Sequence, residues 1–285
     1  MAISKKKTWI IVILLVLVVS AIGIYRFYKS KFLDDQLPET VRTESRGLYN
    51  ISYDTIIIDE VAGSMQVSNL VVSVDTAYLN ADTNLADQPA MLINITADTL
   101  LITGVQTPKA LLNKEITGRK LMIRNSKINL YRLHKKTKKE KDDKLARNQL
   151  EQAYYDVLSQ LKLIKMDSII LENFDLTLRD YKTKEMLLRS SNVSVNLFDL
   201  LIDEGTLEDK TRIMFAKQLE VKADSIHIPD NDSHYDFRMT GLDLNTNERT
   251  LKLATASVIP RFGESKFVRQ FKTQKDRFDL DMSSI

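Results

Sequence analysis

KLMIRNSKINLYR (residues 120–132) reads as a strand interrupted at its middle, and the fold class follows from that reading. Leu121 and Ile123 recur at a spacing of two, as do Ile128 and Leu130, which is the period of a strand with one face buried. Ile128 lies five positions after Ile123, an odd step that turns the second half of a continuous strand to the opposite face. A bulge or a tight turn within Arg124–Lys127 restores the face. The same spacing occurs at Met65/Val67/Val72/Val74 and Ile93/Ile95/Leu100/Ile102. It returns at Ile169/Leu171/Leu176/Leu178, Val193/Val195/Leu200/Ile202 and Leu219/Val221/Ile226/Ile228. The first three units start at residues 65, 93 and 121, and the last three at 169, 193 and 219. Most of the quartets between halves are polar (TADT, RNSK, ENFD, KADS). A period of this length indicates repeated strand units that bury their apolar faces by pairing with neighbours.

Between the third and fourth units the sequence changes character. Residues 134–144 (HKKTKKEKDDK) are nearly all charged, and ARNQLEQAYYDVLSQLKLI follows. Leu145, Leu150, Tyr154, Val157, Leu158 and Leu161 recur near the helical period, so an amphipathic helix is expected from about 142 to 163, within an insertion at about 140–164. The basic start reads as a solvated loop, with contact to anionic headgroups or phosphate as the alternative. Residues 251–285 read as a strand, a Pro260–Gly263 turn, a short helical face of Phe267, Val268 and Phe271, and the strand-like FDLDMSSI, after which the pattern is expected to continue.

Toward the N-terminus, residues 26–47 are polar and lack a clear period, so 32–47 reads as a linker ahead of a β-rich domain at 48–285. Before it stands WIIVILLVLVVSAIGIY (residues 9–25), uncharged throughout. Seventeen residues make a helix of about 25 Å, close to a bilayer core of about 30 Å. The expected span is about 8–28, within an anchor at 1–31, with Trp9 and Tyr25 at the interfaces. Lys5, Lys6 and Lys7 favour a cytoplasmic N-terminus. Val19-Ser20-Ala21 offers the competing reading of a cleaved signal peptide. Apolar residues continue past Ala21 to a basic cluster, which favours an uncleaved anchor.

The chain has no cysteine, so disulfides and Cys-based metal sites are excluded. A net charge of +3 from 41 basic and 38 acidic residues carries no nucleic-acid signature. Neither GxSxG, a P-loop nor GxGxxG is present. His227 and His234 flank Asp230 and Asp232, the densest group of candidate metal ligands, but the segment lacks an EF-hand's glycine and final glutamate. It is expected to be a polar hairpin turn. Asp175 and Asp180, like Asp54 and Asp59, are spaced as strands space them. No catalytic residue, metal or cofactor is expected, and the chain is not read as an enzyme.

A single N-terminal span followed by units such as KLMIRNSKINLYR, SIILENFDLTLRD and QLEVKADSIHIPD resembles the AsmA/TamB-like envelope proteins of diderm bacteria. Residues 235–280 (YDFRMTGLDLNTNERTLKLATASVIPRFGESKFVRQFKTQKDRFDL) look like large members from Bacteroidota-type bacteria. The resemblance implies a mainly β protein. An N-terminal transmembrane helix would precede a curved, repeat-built antiparallel sheet, groove- or taco-like, with one helical insertion. It implies anchoring in the bacterial inner membrane, the bulk of the chain in the periplasm, and phospholipid handling in outer-membrane biogenesis. Lipid-groove candidates are Ile93, Ile95, Leu121, Ile123, Ile169, Leu171, Leu219 and Val221. A closed core is the competing reading for the same residues. A tethered scaffold binding another envelope protein is the alternative function, and nucleic acid is not an expected partner.

Overall fold

The computed structural model describes residues 36–59, 61–81, 91–105, 115–133, 162–213, 215–230, 234–270 and 276–284. The expected membrane span, its basic N-terminal flank and most of the expected helix at 142–163 lie outside them. Among the described residues no helix is long and apolar enough to cross a membrane.

The described residues form one open mixed sheet of twelve strands. A helix, α1 (Gln36–Glu44), enters first. Then come β1 (Tyr49–Ser52), β2 (Thr55–Asp59) and β3 (Ser64–Val74), a short α2 (Thr76–Ala81), and β4 (Met91–Thr103). The long central strands are β5 (Glu115–Arg132), β6 (Leu163–Asp180), β7 (Met186–Ile202) and β8 (Ala216–Asp230). The end of the sheet is built by β9 (Tyr235–Asn245), β10 (Thr250–Lys252), β11 (Thr255–Pro260) and β12 (Leu280–Ser283), with α3 (Glu264–Val268) between the last two. Strand order follows the chain, except that β1 and β2 both pair with β3, and β10 is a side branch on β9.

Three expectations are corrected. The sheet is not wholly antiparallel, because β5 and β6 run parallel, with Glu115 beside Leu163 and Arg132 beside Asp180. A parallel neighbour requires a long crossover, and the excess residues between the third and fourth units supply its length. The expected helical insertion also reaches too far, since Leu163 and Ile164 already belong to β6. Within the expected linker, residues 36–44 are helical. Val41 is buried, and Arg46 and Gly47, both at positive φ, end the helix as Gly47 N–H donates to the Arg42 carbonyl. Leu37 and Val41, four residues apart, are the helix's two apolar aliphatic residues, too few to set a period.

The interruption read in residues 124–127 is present. Asn125 adopts φ 47°, and the β4–β5 register passes from Ala97↔Ser126 to Thr99↔Arg124, stepping over Asp98 and Asn125 together. Asn69, Asn173 and Asn192 repeat this left-handed conformation in β3, β6 and β7, and Gly241 holds the place in β9. Asparagine tolerates it because its short side chain bonds locally. The extra residue thus falls at one height across the sheet, and both halves of each strand keep their apolar residues on one face.

In β7 the spacing read from sequence selects the wrong half-strands. The neighbours of Leu178, Leu176, Leu171 and Ile169 in β7 are Leu188, Ser190, Val195 and Leu197. Ser190 breaks the apolar pattern and hides the true unit. Val193/Val195/Leu200/Ile202 instead straddle a second left-handed residue, Asp199 at φ 53°.

An apolar face that opens toward the last strands

Residues paired across neighbouring strands point to the same face, so the registers can be followed from strand to strand. One line runs Ile56–Val67–Leu100–Ile123–Leu171–Val195–Val221–Leu244–Leu251, apolar in all nine strands. Beside it lies Ile58–Met65–Ile102–Leu121–Ile169–Leu197–Leu219. On the far side of the bulges, Ile51–Val72–Ile95–Ile128–Leu176–Ser190–Ile226–Met239–Ala256–Met282 crosses ten strands with one serine. At about 4.8 Å per strand this line is about 43 Å long. Ile93–Leu130–Leu178–Leu188 and Ile228–Phe237–Val258–Leu280 lie beyond it.

All eight residues expected to line a groove stand on this face. Their exposure separates them from an open surface. Leu121 and Ile169 are each 1% exposed, and Ile93, Ile95 and Leu219 are also buried. Ile123 and Val221 are half-buried against the main cluster, which extends from Val41 and Tyr49 to Leu219, and Leu171 is half-buried against a smaller one of Phe174, Val193 and Ala223. The β3–β7 part of the face is therefore a packed core.

Among the described residues the face opens toward the C-terminal strands. No residue of β9 is buried, and Phe237, Leu251, Leu280 and Met282 are 36, 57, 51 and 54% exposed. These residues were missed from sequence because Thr246, just past the end of β9, stands where the spacing needs a fourth apolar residue. Leu280 and Met282 belong to a strand too short to show both halves. At one end of the open region Phe267 of α3 packs on Tyr235, with ring centres 5.5 Å apart, while its neighbour Val268 stands exposed. The expected shared face of Phe267 and Val268 is thus not formed, and Phe271 lies outside the described residues.

The opposite face is mixed, with Leu101, Met122 and Ile170 aligned across β4–β6 and several charges engaged with one another. Arg124 Nε donates to Glu172 Oε2 at 2.8 Å. Asp236 sits among Arg261 (2.6 Å), His227 (3.5 Å) and Arg238 (3.6 Å). Burial pushes its carboxyl up, but Arg261 and His227 together outweigh this and hold it below the ordinary value. The carboxylates spaced by strand geometry have local partners. Asp54 accepts from Asn69, Asp175 accepts from the Asn192 N–H, and Asp180 accepts from the Lys182 and Thr183 N–H groups. The Thr183 N–H is the chief reason the buried Asp180 carboxyl titrates below its ordinary value. Residues 227–235 join β8 to β9 as a hairpin, with 231–233 outside the described residues. Among the described residues no group of three or more His, Asp or Glu is arranged to hold a metal. A hollow of about 360 Å³ lies where β5 and β6 begin, lined by Glu115, Thr117, Arg119, Lys165 and Asp167, with two charges of each sign.

Compared with known proteins, the chain matches no family model and no curated protein sequence.

Proposed function

We propose that this chain is an AsmA-like protein anchored in the bacterial inner membrane, with its bulk in the periplasm, and that it binds or guides phospholipid in envelope maintenance without catalysing a reaction. On this reading the sheet curves into a groove, and acyl chains lie against the face formed by Phe237, Met239, Leu244, Leu251 and Val258. The observation that carries the reading is the apolar line running unbroken from Ile56 to Leu251, whose burial decreases toward its last strands. Each methylene sheltered there contributes about 0.8 kcal/mol. The packed β3–β7 part serves as the scaffold that holds the open part in shape.

Native mass spectrometry of the full chain released from membranes in detergent, with extraction and identification of bound lipid, tests the proposal. Stoichiometric phospholipid supports it. A folded protein that carries no lipid from its membrane overturns it.

A further inference from the structure

β5 and β6 are parallel neighbours, so residues 134–161 have to return from the end of one strand to the start of the other. β5 has 18 residues and is about 59 Å long. A helix over 142–161 would span about 30 Å, and the residues before it would reach about 27 Å when extended. The connection is therefore just long enough to run back along the strand. It crosses one face of the sheet directly, with no slack for a detour round an edge.

Two features select the face. The first is handedness. Arg132 lies two residues after Leu130 and points to the same, apolar face. With that face toward the viewer and β5 running upward, the N–H and C=O of such an L-residue point right. The Arg132 carbonyl accepts from the Tyr181 N–H at 2.8 Å, so β6 lies to the right of β5. A right-handed connection, the hand of about 98% of parallel crossovers, then passes over the apolar face.

The second is burial. Ile164, Met166 and Ile169 of β6 and Leu121 of β5 are each 1% exposed. Lys165 and Asp167, which alternate with them toward the other face, are exposed. Neighbouring strands cover a strand's edges and leave its face to a second layer. α1 packs on β1, four strands away from β6.

We propose that the crossover 134–161 is the layer that covers the apolar face over β5–β7. Its amphipathic stripe of Leu150, Tyr154, Val157, Leu158 and Leu161 packs on that face, with Leu161 beside the start of β6 and the stripe running over Met166 toward Ile169. Connectivity selects this occupant over acyl chains or a second copy, because the segment has to cross one face and carries an apolar stripe to bury. The strands beyond β7 stay open, which is where burial of the face declines. The inference is independent of lipid binding and holds whether or not the open part carries phospholipid.

Benzoylphenylalanine in place of Tyr154 in the full chain tests the placement. A helix ending at Leu161 puts residue 154 about 10 Å along from the start of β6, near the height of Met166. Irradiation in detergent, followed by digestion and mass spectrometry with fragmentation, should locate an intrachain adduct at Met166 or its neighbours on the apolar face. An adduct at Met122, which points to the opposite face, overturns the proposal. So do adducts joining two chains, which would make a second copy the occupant, and adducts to lipid alone or none at all. Urea unfolding gives an independent reading. Leu158→Asp should lower the midpoint by about 1 M or more, because its carboxylate would enter the layer between helix and sheet. Gln152→Asp, on the helix's other side, should stay within about 0.2 M of the wild type. Equal midpoints for the two variants overturn the proposal.

Discussion

Asn125 Nδ2 donates to Asp98 Oδ2 at 3.1 Å, reaching from a left-handed backbone at φ 47° across to the neighbouring strand. The pair is one link in a seam that crosses the sheet at mid-strand. Asn69 bonds Asp54 at 2.6 Å, Asn173 approaches Asn125 at 3.5 Å, and Asn192 bonds Asp224 at 2.8 Å. The seam explains how strands with a five-residue offset present a single apolar face. The longer strands β3–β9 each leave a mid-strand residue outside the pairing, at about the same height.

The conformation at Asn125 tolerates few residues. Asn125→Val places a β-branched side chain at positive φ and removes the bond to Asp98, for a loss of about 2 kcal/mol in urea unfolding. Asn125→Gly keeps the backbone state, and its loss should stay near about 0.5 kcal/mol. Equal stability of the two variants would mean that the left-handed bulge does not hold the register.

Gly241 makes the same point sterically. At φ +60° an added Cβ would lie 2.7 Å from the Ala254 Cβ. Gly241→Ala is expected to destabilise by about 1–3 kcal/mol. Ala254→Gly in the same chain should relieve the clash but not the backbone strain, so the double variant should recover only part of the loss.

The division of the apolar face into a packed part and an open part can be measured by truncation. Leu121→Ala should cost about 3 kcal/mol, because the side chain is 1% exposed and leaves a cavity. Leu280→Ala, at 51% exposure, should stay within about 0.5 kcal/mol. Comparable losses at both sites would contradict the division.

Tyr49 makes stability depend on alkaline pH. Burial pushes its hydroxyl up from 10.0 to about 12. A raised folded value means that the protonated form is favoured by folding. Its contribution is complete below pH 10 and is lost as pH rises toward 12, at up to about 1.4 kcal/mol per pH unit. Tyr49→Phe should flatten the stability profile in that window and leave it unchanged at pH 7 to within about 1 kcal/mol. A wild-type profile already flat between pH 10 and 12 would show that the hydroxyl is not held protonated.

The alternation in residues 121–130 specified both the strand and its bulge, because a two-residue period cannot absorb a five-residue step without one. Less was legible where one residue carried the information. Ser190 masked the true unit of β7, and Leu37 and Val41 alone were too few to reveal α1. The parallel pairing of β5 and β6 was implicit in the long gap after residue 133, yet a gap does not give a direction. Burial was beyond the pattern altogether. Ile123, Leu121 and Leu251 look alike in sequence, and only the number of strands packed around each makes one a core residue and another a surface residue.

This difference decides how lipid binding should be tested. Ile123→Asp and Val221→Asp would place a carboxylate against the main cluster, where an uncompensated charge is costly, so lost binding there would be confounded by unfolding. Phe237 and Leu251 already meet solvent, and aspartate at either can remain hydrated. Phe237→Asp/Leu251→Asp should therefore unfold in urea within about 1 kcal/mol of the wild type. If acyl chains rest on the open part of the face, the same variant should lose its phospholipid in native mass spectrometry, because a hydrated carboxylate at each site removes the dry contact a methylene chain requires. Wild-type lipid stoichiometry in this folded variant would place any bound lipid elsewhere on the chain and remove the open face from the proposal.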